Sequence, residues 1–232
     1  MTNGLNPTSN GQINTAKVEP QSDKSFTDID QVTTIASNLK VPWGMVFLPT
    51  GGMFITERSG SVRYIDPHGI LLPDPVAKIT EVKEIGEGGL LGIELHPDFE
   101  ENSFVYLYYT YNSQRNNTSN RVARMIYKNG KLENPQTIIV DNIPGNSNHN
   151  GGRIKFGPDK MLYLTTGDAQ DPSMSQDKNS LAGKILRVTD TGAPAPGNPF
   201  GNPIYSLGHR NPQGTTWDKN NQLWATEHGR SG

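Results

Sequence analysis

The 232-residue chain contains no cysteine, which excludes disulfide scaffolds, thiolate metal centres and cysteine nucleophiles. It also lacks any apolar run long enough to span a bilayer. Charge of neither sign dominates: 21 Lys and Arg stand against 23 Asp and Glu, interleaved along the chain, so nothing forms the basic stripe that a phosphate backbone requires. A nucleic-acid partner is therefore not expected. The first residues, MTNGLNPTSNGQINTAKVEPQSDKSF, carry neither a basic start nor an apolar stretch, so no secretory signal is read there. Their Asn, Thr, Ser, Gly and Pro content reads as a flexible tail over residues 1–30, ahead of a domain over 31–232. Helical periodicity is missing throughout.

What the chain has instead is 25 Gly and 17 Pro punctuating short apolar or alternating runs, the composition of many short strands joined by tight turns. These runs repeat. Gly44–Glu57 (GMVFLPTGGMFITE), Arg153–Thr166 (RIKFGPDKMLYLTT) and Gly214–Glu227 (GTTWDKNNQLWATE) align as strand, turn and strand. In each, an apolar residue (Phe47, Phe156, Trp217) precedes the turn and another (Phe54, Tyr163, Trp224) follows it. A looser copy begins at Gly92 and keeps Leu95 and Pro97. Further strands are expected at Ser61–Asp66, Val122–Lys128, Thr137–Val140 and Gly183–Val188.

A repeat of roughly 50 to 60 residues is the interval of a four-stranded propeller blade with long loops. A blade has two apolar faces and buries them against its neighbours, and an irregular β-sandwich gives no reason for the repeat. The chain is thus expected to be an all-β propeller of about three and a half to four blades. An open arc of that kind leaves two faces uncovered, so the sequence reads as a fragment of a longer chain or as one closed by a partner.

Three polar segments fall at one phase of the repeat, where propeller loops gather around the axis. Asn148-His149-Asn150-Gly151-Gly152 enters the third copy, and Thr165-Thr166-Gly167-Asp168 leaves it, so a hairpin brings His149 and Asp168 together. A carboxylate on one imidazole nitrogen fixes the tautomer and frees the other nitrogen to take a proton. Gly208-His209-Arg210-Asn211 enters the next copy and offers donors suited to a carbonyl or a carboxylate. Glu87-Gly88-Gly89 precedes the looser copy. A zinc site of His149, His209 and His228 is the weaker alternative, because their spacing forms no compact ligand motif. His68 and His96 sit in turn sequences and read as structural.

Four segments together carry a resemblance. Glu87–Phe99 (EGGLLGIELHPDF), His149–Arg153 (HNGGR), Leu181–Arg187 (LAGKILR) and Gly208–Gly214 (GHRNPQG) resemble the soluble glucose/sorbosone dehydrogenases that use pyrroloquinoline quinone (PQQ). Ile55–Gly60 (ITERSG) and Asn198–Phe200 (NPF) fit the same order, which runs from about Val41 to the last residue. The resemblance implies six blades and oxidation of an aldose at its anomeric carbon to the lactone, with electrons passed on to an external acceptor. It implies His149 as the base that takes the hydroxyl proton, Asp168 as the carboxylate that orients it, and Arg210 and Asn211 as cofactor contacts. Glu87 and Asn148 stand at substrate positions, where the glucose enzyme carries glutamine and aspartate. Gly229 and Arg230 match the carbonyl ligands of a calcium ion held with the cofactor. A periplasmic or extracellular location is implied as well. Two other functions remain open from the residues alone: a calcium-dependent propeller lactonase, and a non-catalytic propeller that binds a glycan or a protein.

Overall fold

In a computed structural model, the structure describes residues 32–113 and 117–229. The expected tail over residues 1–30 lies outside them. From Ile35 onward the described residues form one compact unit, built from a succession of antiparallel sheets. The first comprises β1 (Pro42–Phe47), β2 (Met53–Glu57), β3 (Ser61–Ile65) and β4 (Ala77–Lys78) in that order. The second comprises β5 (Leu90–Leu95), β6 (Phe104–Asn112), β7 (Thr118–Lys128) and β8 (Lys131–Pro144). The third comprises β9 (Ile154–Phe156), β10 (Leu162–Thr166), β11 (Lys184–Val188) and β12 (Ile204–Leu207), and the described part of the fourth is the hairpin of β13 (Pro212–Trp217) and β14 (Leu223–Glu227). Two single-turn helices, α1 (Phe99–Asn102) and α2 (Ser173–Gln176), interrupt the loops. The expected strands are all present, those at 122–128 and 137–140 as parts of the longer β7 and β8.

Strand β6 explains why these sheets stack face to face. Successive side chains of a strand point to opposite faces. Val105, Leu107, Tyr109 and Tyr111 join a core shared with Phe54 and Val62 of the first sheet. Tyr106 and Tyr108 join the opposite core, shared with Ile154, Leu162, Leu164 and Leu186 of the third. Both faces are buried, so the sequence FVYLYYTYN reads as a continuous apolar run. The tyrosine hydroxyls escape the cost of burial by donating to Asp190 O (3.0 Å), Asn150 O (2.8 Å) and Glu81 Oε2 (2.9 Å) from Tyr106, Tyr108 and Tyr109 respectively.

The first strands of successive sheets lie side by side. A Cβ added to Gly44 on β1 would stand 2.7 Å from Leu91 O on β5, and one added to Gly92 on β5 would stand 2.2 Å from Gly152 O beside β9. The turn of each close copy closes alike: Leu48, Gly157 and Asp218 each donate an N–H four residues ahead and accept one from three ahead. The register also fixes equivalences. Phe54, Tyr106, Tyr163 and Trp224 pair with the penultimate residues of their first strands. Three of the four are buried between sheets, whereas Trp224 is 58% exposed.

Candidate active site

Six residues before those penultimate positions, Lys40, Gly88, His149 and Arg210 occupy one structural position, two residues ahead of β1, β5 and β13 and five ahead of the shorter β9. In three of the four a carboxylate accepts the backbone N–H at that position. Lys40 N–H donates to Glu57 Oε1 (2.8 Å), His149 N–H to Glu87 Oε2 (2.9 Å) and Arg210 N–H to Glu227 Oε1. The first and third use the glutamate that ends their own hairpin. The His149 hairpin ends in Thr166, which is fully buried and bonded to Leu181 O, so the carboxylate comes from the loop before β5 instead.

The His149 turn is fixed from below by Asn150, which is 1% exposed. Its amide donates to Asn146 O (2.8 Å) and accepts from Asn120 (3.1 Å) and from Asn146 N–H (3.2 Å). His149 itself adopts φ 59°, a left-handed conformation that a side chain tolerates only when its surroundings dictate it. Gly167 passes directly over it: a Cβ there would lie 1.8 Å from His149 O. The imidazole Nδ1 meets Asp168 Oδ1 at 2.7 Å, and the same oxygen accepts the N–H of Gln170 at 2.8 Å. Asp168 is 2% exposed, and its own N–H donates to Arg210 O at 2.7 Å, tying the two corners together. With Nδ1 committed to the carboxylate, Nε2 is the nitrogen free for proton transfer.

At the Arg210 corner, Glu227 Oε1 accepts from Arg210 N–H and from Asn211 N–H (3.2 Å), while Oε2 meets His209 Nδ1 at 3.1 Å. Partial burial works to raise the Glu227 pKa, but the Arg210 N–H and the His209 ring outweigh it and hold the carboxyl below its ordinary range. The Arg210 guanidinium donates through Nη1 to His228 O (2.8 Å) and Gly229 O (3.2 Å). Asn211, 1% exposed, accepts Gly151 N–H at 3.0 Å and donates to Glu87 Oε2 at 3.4 Å.

A cleft of about 550 Å³ brings together His149, Asp168, Gln170, Gln176, His209 and Arg210. Its outer wall is held by Lys184, a fully buried ammonium that donates to the carbonyls of Met174 (2.8 Å), Ser175 (3.0 Å) and Ala182 (2.6 Å). Burial lowers the pKa of Lys184, and the charge of Asp177 opposes that shift. A smaller cleft of about 300 Å³ holds Trp43, Arg58, Glu87, Asn211, Gln213 and His228. Of the residues singled out from sequence, His149, Asp168 and Arg210 thus share one cleft. Glu87 and Asn211 line the other and join the first through hydrogen bonds. Asn148 is half-buried beside His149 and lines neither.

The metal expectations fare differently. His149 and His209 face one cleft and His228 the other, and no cluster of three or more metal-binding side chains exists among the described residues. The carbonyl of Gly229 faces the Arg210 guanidinium, a cation, and Arg230 lies outside the described residues. Calcium takes six or more oxygen ligands, and of the two expected carbonyls the described one is turned to a guanidinium. The described residues do suit PQQ, a planar polyanion. The 550 Å³ cleft presents a guanidinium, two amides and two imidazoles, and its one carboxylate, Asp168, is spent on His149. Sequence reasoning missed Glu227, Gly167 and Lys184. The signal for Glu227 was available, since two aligned copies both end in glutamate.

An all-β stack of sheets thus delivers a histidine–carboxylate pair and a guanidinium to one cleft. The glucose/sorbosone dehydrogenase pattern matches residues 39–232, and the chain belongs to that family. It is 32% identical over 213 residues to the aldose sugar dehydrogenase YliI of Escherichia coli, covering 87% of this chain and 57% of that protein. It is 29% identical over 231 residues to quinoprotein glucose dehydrogenase B of Acinetobacter calcoaceticus, covering 84% and 47%. The PQQ-bound aldose sugar dehydrogenase of Streptomyces coelicolor superposes with a TM-score of 0.80 at 43% identity, covering 86% of this chain and 60% of that one. The chain spans about half the length of the curated relatives it matches. No helix among the described residues is long and apolar enough to cross a membrane.

Proposed function

We propose that this chain is the catalytic part of a PQQ-dependent sugar dehydrogenase, in a six-bladed ring, that oxidises an aldose at its anomeric carbon to the lactone. The observation that carries the reading is the 2.7 Å contact of His149 Nδ1 with buried Asp168 inside the cleft that also holds Arg210. PQQ, when bound, supplies a two-electron acceptor for the anomeric hydride. The chain's own residues do the rest. His149 Nε2 takes the proton of the anomeric hydroxyl, and Asp168 stabilises the imidazolium that results. Arg210 and Asn211 would hold the cofactor, the guanidinium supplying positive charge to an anionic group. Glu87 and Asn148 are proposed to lie beside the sugar. No step is assigned to calcium. An external acceptor must then carry the electrons away.

The test uses full-length protein, PQQ, a panel of aldoses and a redox dye. Dye reduction that His149→Ala abolishes is expected. Absence of dye reduction across the whole panel defeats the proposal, and lactone turnover without added quinone would instead favour a hydrolase.

A further inference from the structure

Lys40 and Arg210 occupy the same register position, and each donates its N–H to the glutamate that closes its hairpin, Glu57 or Glu227. The two corners then diverge. Glu57 Oε1 also meets Arg63 Nη1 at 3.4 Å, on the neighbouring strand of the same sheet. Glu227 instead takes a second N–H, from Asn211, and the ring of His209, whose Nε2 meets Ser206 Oγ at 2.8 Å. The two residues that follow Glu227 continue the embrace. His228 and Gly229 accept the guanidinium of Arg210 through their carbonyls, and His228 N–H donates to Asn211 O at 3.1 Å. Arg210 is therefore gripped at both ends, its backbone by a carboxylate and its side chain by carbonyls of the same short segment.

We propose that Glu227 is a positioning residue, which locks Arg210 and Asn211 in the geometry that binds the anionic cofactor and leaves Glu57 as its purely structural counterpart. The proposal rests on the reading of Arg210 and Asn211 as cofactor contacts. Its physical basis is that one ionised carboxylate satisfies three donors of consecutive residues with charge-assisted bonds, so the corner has a single arrangement. An amide in its place keeps one acceptor oxygen but loses the charge, and it turns an NH2 group towards His209.

Full-length Glu227→Gln and Glu57→Gln are compared with the unmodified protein by amide hydrogen exchange, thermal unfolding and fluorescence titration with PQQ. Both variants are expected to lose some thermal stability. Only Glu227→Gln should speed exchange at the Arg210 and Asn211 amides at least about tenfold and weaken quinone binding about tenfold, the scale of one charge-assisted bond. Glu57→Gln should bind the quinone within about twofold of the unmodified protein. Unchanged exchange at Arg210 and Asn211, or equal weakening of quinone binding in both variants, overturns the proposal. If Glu227→Gln does not fold, Glu227→Asp keeps the charge but shortens the reach, and the same acceleration at the two amides is expected of it. If the unmodified protein binds no quinone, the functional reading falls, and the exchange rates alone decide whether the clamp exists.

Discussion

Asp168 Oδ1 holds both the imidazole Nδ1 of His149, at 2.7 Å, and the N–H of Gln170, at 2.8 Å. The backbone bond keeps the carboxylate from rotating, so the imidazole is oriented by an acceptor that is itself fixed. Asp168→Asn keeps the shape but can present an NH2 to the ring, which favours the wrong tautomer. Turnover is expected to fall about 100-fold or more with little change in KM. Dye-coupled kinetics measure the loss, and the 15N shifts of the His149 ring report the tautomer. An unchanged tautomer together with unchanged turnover would remove Asp168 from the proposed mechanism.

Gly167 is a matter of space. A methyl group there would meet the His149 carbonyl at 1.8 Å and its carbonyl carbon at 2.2 Å, both backbone atoms that cannot swing aside. Gly167→Ala should therefore cost about 2–3 kcal/mol, at the upper end for overpacking, and lower Tm by several degrees. Since the displaced element carries His149, activity should fall further than the lost stability explains. Calorimetry beside dye-coupled kinetics at a temperature well below the transition separates the two effects.

Glu94 lies at the contact between the second and third sheets. Burial pushes its carboxyl up to about 7, against the N–H of Leu95 and the charges of Lys155 and Arg153. A raised carboxyl favours the protonated fold, so the stability it gives is whole below the ordinary value of 4.5 and is lost as pH climbs through about 7. Glu94→Gln, which stays neutral, should match the unmodified protein near pH 4 and exceed it above pH 7 by roughly 1–2 kcal/mol. Thermal unfolding followed across that range checks the sign. A variant that is destabilised equally at every pH would contradict it.

Much of this architecture is legible in the sequence because it repeats. The aligned copies place β1, β2, β9, β10, β13 and β14, and the hairpin logic alone brings His149 beside Asp168. The second sheet was harder to read, since α1 stands where the other copies have a five-residue turn, and β7 and β8 are long strands with bulges. The carboxylate contacts were hidden for a different reason. Glu87 reaches His149 and Asn211 across 62 and 124 residues, distances over which no local pattern speaks. Lys184 looks in sequence like an ordinary strand-start lysine, and only the carbonyls folded around it reveal a buried cation.

The shared register of Lys40, Gly88, His149 and Arg210 makes the rim of the molecule modular. Each hairpin offers one slot whose main chain is anchored independently of whatever side chain it carries. Under the proposed function the slots divide the labour, with His for proton abstraction and Arg for anion capture, while the stacked strands beneath stay the same. The glycine slot alone is closed to any side chain, because a Cβ on Gly88 would meet Thr110 Oγ1 of the strand beneath at 2.8 Å.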